Sequence, residues 1–460
     1  MRAELATRPA NWRDLAESEV SPRSFGYSER LLAHNAIVVG GTLVAGILGG
    51  VIFLGVFSHR LRPADYGAVF TVITLLNLIL VPATALTLLM ARETSRDHAN
   101  GRHAPSTALL RGGTGALLVL GTGMGLVLVL ASPFLTRFLD VEMPLLWAAA
   151  GGIPFTVALP LLLGELQGSQ RFLAFSLIMV GQAALKLAAA VVLGTVFGPA
   201  GVIAGISIGT LLAYVSARRL IRRKLAMRPR LPWLRPAVSY LSVVLPSTLA
   251  IALLLSADAV IVKHFFSARQ AGEFAAVAAL GRGIFFASSG VAAVLFPKMV
   301  FRHEQRENQT HLVLGSLVLV MLGGGFGWFL LSIMARPILV GFAGAAYAAG
   351  ADYLSWYAFG MTLLGAATVL IATHQSRGNP TFLAIVIPVT VLEPVLITLL
   401  HSTLVQVVQV MDGAMIFLVG GLLCLELVQR RSLVRTTTYR LSPDSSVPAF
   451  LPQIQPLPVQ

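Results

Sequence analysis

Twelve long apolar runs are the feature of this sequence that most restricts its fold. Each is close to the roughly 20 residues that an α-helix needs to cross the hydrocarbon core of a bilayer. Only 12% of the residues are charged, against about 25% in soluble domains, so a water-soluble surface cannot be built. The sequence predicts an all-α polytopic membrane protein with about 12 transmembrane helices. The runs lie at 34–57, 66–91, 107–131, 144–165, 172–197, 199–217, 238–266, 270–297, 311–335, 350–374, 381–400 and 403–428.

A basic segment separates the first six runs from the last six. From Arg218 to Arg235 it reads RRLIRRKLAMRPRLPWLR, with eight Lys and Arg residues and no acidic residue. Such a segment can bind nucleic acid, and the formal net charge of +14 would agree with that function. Its position between two sets of membrane spans instead indicates a loop between two lobes, so we expect no nucleic-acid partner. The predicted organisation is a tail (1–33), a first lobe (34–217), the basic loop (218–237), a second lobe (238–428) and a second tail (429–460).

The charges of the loops and tails predict the orientation in the membrane. With both termini on the same side, 26 Lys and Arg residues lie on that side and six on the other. Lys and Arg are enriched in cytoplasmic loops, so we expect both termini in the cytoplasm. The first thirty residues lack the apolar core of a signal peptide. We therefore expect a multi-pass protein of the inner (plasma) membrane, surrounded by membrane lipids.

Motifs for catalysis or cofactor binding are absent from the sequence. The single cysteine, Cys424, lies in an apolar run, and the histidines form neither an HExxH motif nor a Cys/His cluster. There is also no Walker A sequence for ATP. We expect no cofactor, no metal and no catalytic residue. A membrane enzyme is disfavoured because the loops between the spans are short and hold no cluster of carboxylates.

Small residues recur at the spacing of helix contacts. Gly201, Gly205 and Gly209 form a repeated GxxxG stripe, for which packing within the chain is the simpler interpretation and a dimer face the alternative. Two helix starts also resemble each other, RPADYGAVF from Arg62 and ARQAGEF from Ala268. They occupy the same place in each half, which suggests that the lobes are duplicated.

Three longer stretches are similar to one known family. The first is NAIVVGGTLVAGILGGVIFLG from Asn35, followed by RLRPADYGAVFTVITLLN. The others are LQGSQRFLAFSLIMVGQAALKLAAAVVL (166–193) and SADAVIVKHFFSARQAGEFAAVAALGRGIFFASSGVAAVLFPKM (256–299). They resemble the polysaccharide-transport (oligosaccharide flippase) family of the multidrug/oligosaccharidyl-lipid/polysaccharide exporter superfamily, over about residues 35–430. The resemblance implies two six-helix lobes around a central cavity that opens alternately to either side.

The same resemblance implies a function in surface polysaccharide biosynthesis. A flippase of this family moves a polyprenyl-pyrophosphate-linked glycan from the inner to the outer leaflet, and glycosyltransferases or a polymerase become candidate partners. The alternative is a multidrug or metabolite antiporter of the same superfamily. Positively charged side chains at mid-membrane mildly disfavour the antiporter, because antiporters of cationic drugs favour a cavity lined by carboxylates. Either function makes the chain a transporter and not an enzyme.

Four charged residues inside the predicted spans are the candidate site residues. Placing a charged side chain at the centre of a membrane span costs about 2.5–3.5 kcal/mol, so we expect each of these residues to have a structural or functional role. We hypothesise that Arg282 and Lys186 bind the diphosphate, Arg through its planar fork and Lys as a point charge. The alternatives are a structural pair of Arg282 with Asp258, and a Lys186 side chain that reaches to the interface. Asp258 and Glu393 are candidates for proton or cation coupling, with structural pairing as the alternative.

Overall fold

A computed structural model describes residues 40–42, 44–99, 104–226, 234–304, 310–376 and 380–440. Over these ranges the chain is helical, joined by short turns, and contains no strand. The all-α membrane fold that the sequence predicts is confirmed. The predicted tail 1–33 and the part of the second tail beyond residue 440 lie outside the described residues, and the predicted domain boundaries stay a prediction.

Fourteen helices follow one another along the described chain. The first six are α1 (Gly40–Arg60, with a π-helical stretch Ile47–Ile52), α2 (Pro63–Ala99), α3 (Ala104–Leu139), α4 (Met143–Gly168), α5 (Phe172–Leu220) and α6 (Arg222–Ala226). The others are α7 (Leu234–Leu254), α8 (Ala257–Phe265), α9 (Ala268–Glu304), α10 (Thr310–Ile333), α11 (Ala335–Ala343), α12 (Ala351–Ser376), α13 (Leu383–Leu399) and α14 (Leu404–Arg440). We call α1–α6 the first half and α7–α14 the second half.

The described chain contains eleven stretches that are long and apolar enough to cross a membrane. One of them, α5, has 49 residues and would be roughly 74 Å long if straight, more than twice the ~30 Å of a bilayer core. At Gly198 its backbone leaves the helix, with φ 60° and ψ −141°, a conformation that glycine adopts without steric cost. Pro199 follows. The chain reverses at this point, so α5 crosses twice and the described helices supply twelve crossings.

The glycine stripe of the sequence forms the contact between the two arms of α5. A Cβ atom at Gly201, Gly205 or Gly209 would overlap the first arm. The residues that these atoms would meet are Leu193, Ala190 and Lys186, in that order. The residue numbers of these partners decrease as those of the glycines increase, so the two arms are antiparallel. Their backbones are in contact because glycine has no side chain. Packing within the chain is the confirmed interpretation of this stripe.

The two ends of the helical bundle differ, and we name them by their residues. The basic end holds the described part of the basic segment, where Lys224 Nζ lies 2.7 Å from Glu165 Oε1 and Thr94 Oγ1 donates to Glu165 Oε2 at 2.7 Å. These contacts fasten α6 to α4 and α2. The distal end, at the opposite side, holds the starts of α2 and α9.

The buried side chains show that the halves share one apolar core but also have cores of their own. The largest cluster of buried residues includes Phe57 and Phe70 of the first half together with Phe274 and Tyr357 of the second. A second cluster takes its buried members from the first half, between residues 89 and 221. A third, between residues 313 and 369, takes its buried members from the second half. The second and third clusters therefore take their buried members from one half each, although Leu241 of α7 packs against the edge of the second cluster.

The distal end is closed by a direct contact between α2 and α9. A Cβ atom at Gly67 would lie 2.9 Å from the Gly272 nitrogen, and a Cβ atom at Gly272 would overlap the Pro63 carbonyl oxygen. The two helix starts that resemble each other in sequence thus touch at backbone distance. Further contacts across the halves at this end are the Ser58 hydroxyl on the Phe342 carbonyl (3.2 Å) and Lys263 Nζ near Asp140 Oδ2 (3.8 Å).

We expect Gly205→Val to destabilise the hairpin of α5, because the new side chain would force the two arms apart. Overpacking of this kind costs typically about 1–3 kcal/mol. The thermal stability of the purified protein in detergent measures the effect. Gly123→Val is the matched control, since a Cβ atom at Gly123 has no neighbour within 4 Å. Equal stability of the two variants would contradict the packing described here.

Candidate functional site

The seventh predicted span is broken into two helices. α7 ends at Leu254, a turn follows, and α8 begins at Ala257. Asp258 stands in the first turn of α8, where backbone N–H groups lack helical partners and the helix dipole favours a negative charge. Ser256 followed by Asp258 is a pattern typical of a helix N-terminus. It was not recognised from the sequence because apolar residues surround it on both sides. Broken membrane helices form the substrate and ion sites of several transporter folds.

A ring of hydrogen bonds joins α8, α9 and α12 around Asp258. Arg282 donates from Nη2 to Asp258 Oδ1 (2.8 Å) and from Nε to the Tyr357 hydroxyl (3.1 Å). The Tyr357 hydroxyl in turn donates to Asp258 Oδ2 (2.8 Å). Both carboxylate oxygens accept a bond and the opposite charges meet. This is the compensation that a buried ion pair requires.

The same arginine also reaches the first half of the protein. Nη1 of Arg282 donates to Thr74 Oγ1 on α2 at 3.2 Å. Its Cζ atom lies 4.9 Å from the centroid of the Phe70 ring, also on α2, within the range of a cation–π interaction. One guanidinium, only 6% exposed, therefore binds a carboxylate of the second half and a hydroxyl and a ring of the first half.

Two further carboxyl groups are buried in the second half. Glu393 of α13 is 1% exposed and Asp412 of α14 is 5% exposed. Within the described residues none of their four carboxyl oxygens has a hydrogen-bond partner. Asp412 Oδ1 lies against Gly360, where a Cβ atom would overlap it. An ionised carboxylate without a partner is energetically unfavourable when it is buried, and a bound proton or cation would neutralise its charge.

Lys186 lies apart from this cluster, in the first arm of α5. Its backbone and side-chain stem face Gly209 of the second arm, and the residue is partly buried. Within the described residues no hydrogen bond or ion pair is recorded for its ammonium group. An unpaired ammonium in an apolar span has no local counter-charge, so an anionic ligand would stabilise it.

The structure brings three of the four predicted site residues together. Arg282 and Asp258 are bonded, and Glu393 lies on α13, a helix that packs against the helix of Asp258. The structural pair of Arg282 with Asp258 is thus present, while the substrate and coupling roles of the four residues stay predictions. Sequence reasoning missed Thr74 and Tyr357, which carry no signal of their own, and Asp412, which was visible as a lone acid in the last apolar run.

Metal binding finds no support in the described residues. No group of three or more His, Cys, Asp or Glu side chains among them is placed to hold a metal ion.

The fold is similar to that of several solved transporters. One is an inward-facing multidrug resistance MATE family transporter of the MOP superfamily, with a TM-score of 0.70 and 15% identity over 86% of this chain and 96% of the other. A MOP superfamily transporter from Pyrococcus furiosus has a TM-score of 0.67 and 13% identity, over 87% and 95% of the two chains. The lipid II flippase MurJ, in an inward closed conformation, has a TM-score of 0.64 and 14% identity, over 83% and 86%.

These similarities assign the class of fold. Neither the family models nor the curated proteins give a match to the sequence. The chain has the helical fold of the MATE and MurJ transporters of the MOP superfamily, matched along most of its length. At 13–15% identity the likeness concerns the fold, and the substrate is a separate question.

We expect Arg282→Met to destabilise the protein strongly, because it leaves Asp258 buried without its counter-charge. Removing one partner of a buried pair costs about 3–5 kcal/mol. The double variant Arg282→Met/Asp258→Asn should recover much of that loss, since neither charge remains. Thermal unfolding of the wild type, both single variants and the double variant in detergent forms the complete cycle. Additive losses in the double variant would show that the two side chains do not act as a pair.

Proposed function

We propose that this protein is an alternating-access transporter that moves a lipid-linked saccharide across the membrane. The observation that carries the proposal is the contact of the halves at the distal end, combined with separate cores elsewhere. A transporter that opens alternately needs halves that can part at one end while they stay joined at the other. A guanidinium that bridges the halves through one hydroxyl and one ring is a contact that can be broken without unfolding either half.

The orientation follows from the distribution of positive charge. We place the basic end in the cytoplasm, because Lys and Arg are enriched in cytoplasmic loops. The closed distal end then faces outwards, and the state described here is closed to the outside. One of the similar solved transporters is described as inward-facing, which agrees with this assignment.

The proposed substrate carries a diphosphate between its lipid and its glycan. Lys186 supplies the first contact, because it is the cation among the four predicted site residues that has no hydrogen bond or ion pair within the described part of the chain. Arg282 supplies the second contact with the diphosphate, after its guanidinium has separated from Asp258. This separation is needed because Nε, Nη1 and Nη2 all donate hydrogen bonds within the protein in the closed state. Phosphate oxygens accept the same paired hydrogen bonds as a carboxylate, so diphosphate can replace Asp258 on the guanidinium.

A multidrug antiporter is the second candidate. Its support is the similarity to the multidrug resistance MATE transporter and the presence of buried carboxyl groups without partners. Carboxyl groups in a cavity suit a cationic drug, whereas Lys186 and Arg282 suit an anionic substrate. The two candidates therefore differ in the charge of the substrate, which makes them separable by experiment.

We also propose that transport is coupled to a proton or a monovalent cation at the carboxyl groups of the second half. Glu393 and Asp412 carry this role, with Asp258 as their charged neighbour. Loss of the bound proton would leave a bare carboxylate in an apolar site, so the protonated and unprotonated forms favour different conformations.

Flipping of a fluorescent polyprenyl-diphosphate saccharide in proteoliposomes tests the substrate. We expect the wild type to flip it, and Lys186→Met to reduce the rate by about tenfold or more, because a hydrogen bond to a charged group contributes about 1.5–3 kcal/mol. Lys186→Arg should retain most of the rate. Arg336→Gln, which removes an exposed cation elsewhere, is the matched control.

The same proteoliposomes decide between the two candidates. Uptake of a lipophilic cationic dye without movement of the lipid would replace the flippase with the antiporter. Movement of neither compound would remove both proposals.

We expect Glu393→Gln and Asp412→Asn to uncouple transport from the driving ion. Neutral amides mimic the protonated carboxyls and cannot release a proton. The measurement is the transport rate with and without a pH gradient, and with and without a sodium gradient, across the liposome membrane. Glu142→Gln, an exposed acid at the start of α4, serves as the control. If both amide variants respond to the gradients as the wild type does, the coupling site lies elsewhere.

A further inference from the structure

We propose that Arg282 is a positioning residue that transmits the charge state of Asp258 to the closed distal end. This inference rests on the proposed transport function, because it assumes that the distal end opens and closes. It goes beyond that function in naming the residue that links the ion site to the closure.

The geometry of one planar group supports the link. Nη2 of Arg282 binds Asp258 in the second half, and Nη1 of the same guanidinium binds Thr74 in the first half. The guanidinium is rigid, so a change in its orientation at one nitrogen moves the other. Tyr357 holds Nε and the second oxygen of Asp258, which leaves the group little freedom in the closed state.

The burial of the charge gives the direction of the effect. In the closed state Arg282 is almost fully buried, and its cation is tolerated because Asp258 is ionised beside it. If Asp258 is neutralised, the guanidinium remains in an apolar place without a counter-charge. Opening the distal end lets water reach Arg282 and removes that penalty. An ionised Asp258 therefore favours the closed end and a neutral Asp258 favours the open end.

Several charged or titratable groups on neighbouring helices can act on this pair. Glu393 lies on α13, which packs against α8, so its charge can add to the effect of Asp258. Lys263 follows on α8 itself and is paired at the distal end with Asp140, the residue after the end of α3. Other charged or titratable groups on helices near α8 include Asp65 and Tyr66 on α2, Arg269 and Glu273 on α9, Tyr357 on α12 and Asp412 on α14. The Lys263–Asp140 pair also joins the halves, but the Asp140 side chain is exposed, whereas the side chains of Arg282 and Asp258 are both buried.

A spin-label distance across the distal end tests the inference. Arg62 and Arg269 lie in different halves, line one cavity at this end, and have side chains 87% and 76% exposed. The parent is Cys424→Ser with Arg62→Cys and Arg269→Cys, both labelled. We expect a short distance in this parent at neutral pH. Addition of Asp258→Asn should move the main population to a longer distance, beyond the width of the parent distribution.

The effect of Asp258→Asn in an Arg282→Gln background separates a transmitting role from a purely structural one. Arg282→Gln should abolish the shift that Asp258→Asn causes, because residue 258 then has no group through which to act on α2. The double variant also contains no uncompensated buried charge at this pair, so it is the comparison least affected by loss of stability. Tyr357→Phe provides a milder variant, which keeps the ring and should shift the distribution in the same direction as Asp258→Asn.

Either of two results would overturn the inference. One is an unchanged distance distribution in both Asp258→Asn and Tyr357→Phe, and the other is the same shift to longer distance when Asp258→Asn is added to Arg282→Gln. The readout contains no substrate, so it is independent of the flippase assignment. Loss of lipid flipping with an intact distance response would reject the substrate alone, and intact flipping with no distance response would reject this inference alone.

Discussion

The buried ion pair between Arg282 and Asp258 is the interaction on which the rest of the site depends. A guanidinium cannot remain inside an apolar bundle unless its charge and its donors are satisfied. The broken seventh span places Asp258 at a helix start, α12 supplies the Tyr357 hydroxyl, and α2 supplies Thr74 and the Phe70 ring. Four helices therefore have to lie where they do for one charge to be tolerated.

The position of this pair connects local chemistry with the arrangement of the halves. It lies where α2 meets the second half, and the same helix begins at the backbone contact between Gly67 and Gly272. The backbones at Gly67 and Gly272 can approach closely because no side chain lies between them. When they separate, no side-chain polar group loses a hydrogen bond. The two contacts contribute in different ways. The Arg282–Asp258 pair depends on the charge of its two side chains, whereas the contact of Gly67 with Gly272 depends on the close approach of the two backbones.

Much of the fold was predictable because the bilayer imposes simple rules on a sequence. Apolar runs near 20 residues marked the twelve predicted crossings, and the glycine stripe at Gly201, Gly205 and Gly209 was interpreted as a packing contact within the chain, which the structure places between the two arms of α5. The break before Asp258 was not predicted, because an apolar run reads the same whether its helix is continuous or interrupted. Asp412 was passed over because a lone acid in a span does not reveal whether it is paired.

The sequence by itself determined that the chain is a helical membrane protein, how many times it crosses, and which residues carry charge within the spans. These properties depend on composition along the chain. Only the tertiary structure decided that Arg282 binds Asp258 and α2 at once, that Glu393 and Asp412 have no hydrogen-bond partner within the described residues, and that Lys186 stands apart. Those facts depend on helices far apart in the chain, such as α2 and α9, whose contact is set by packing and not by local pattern.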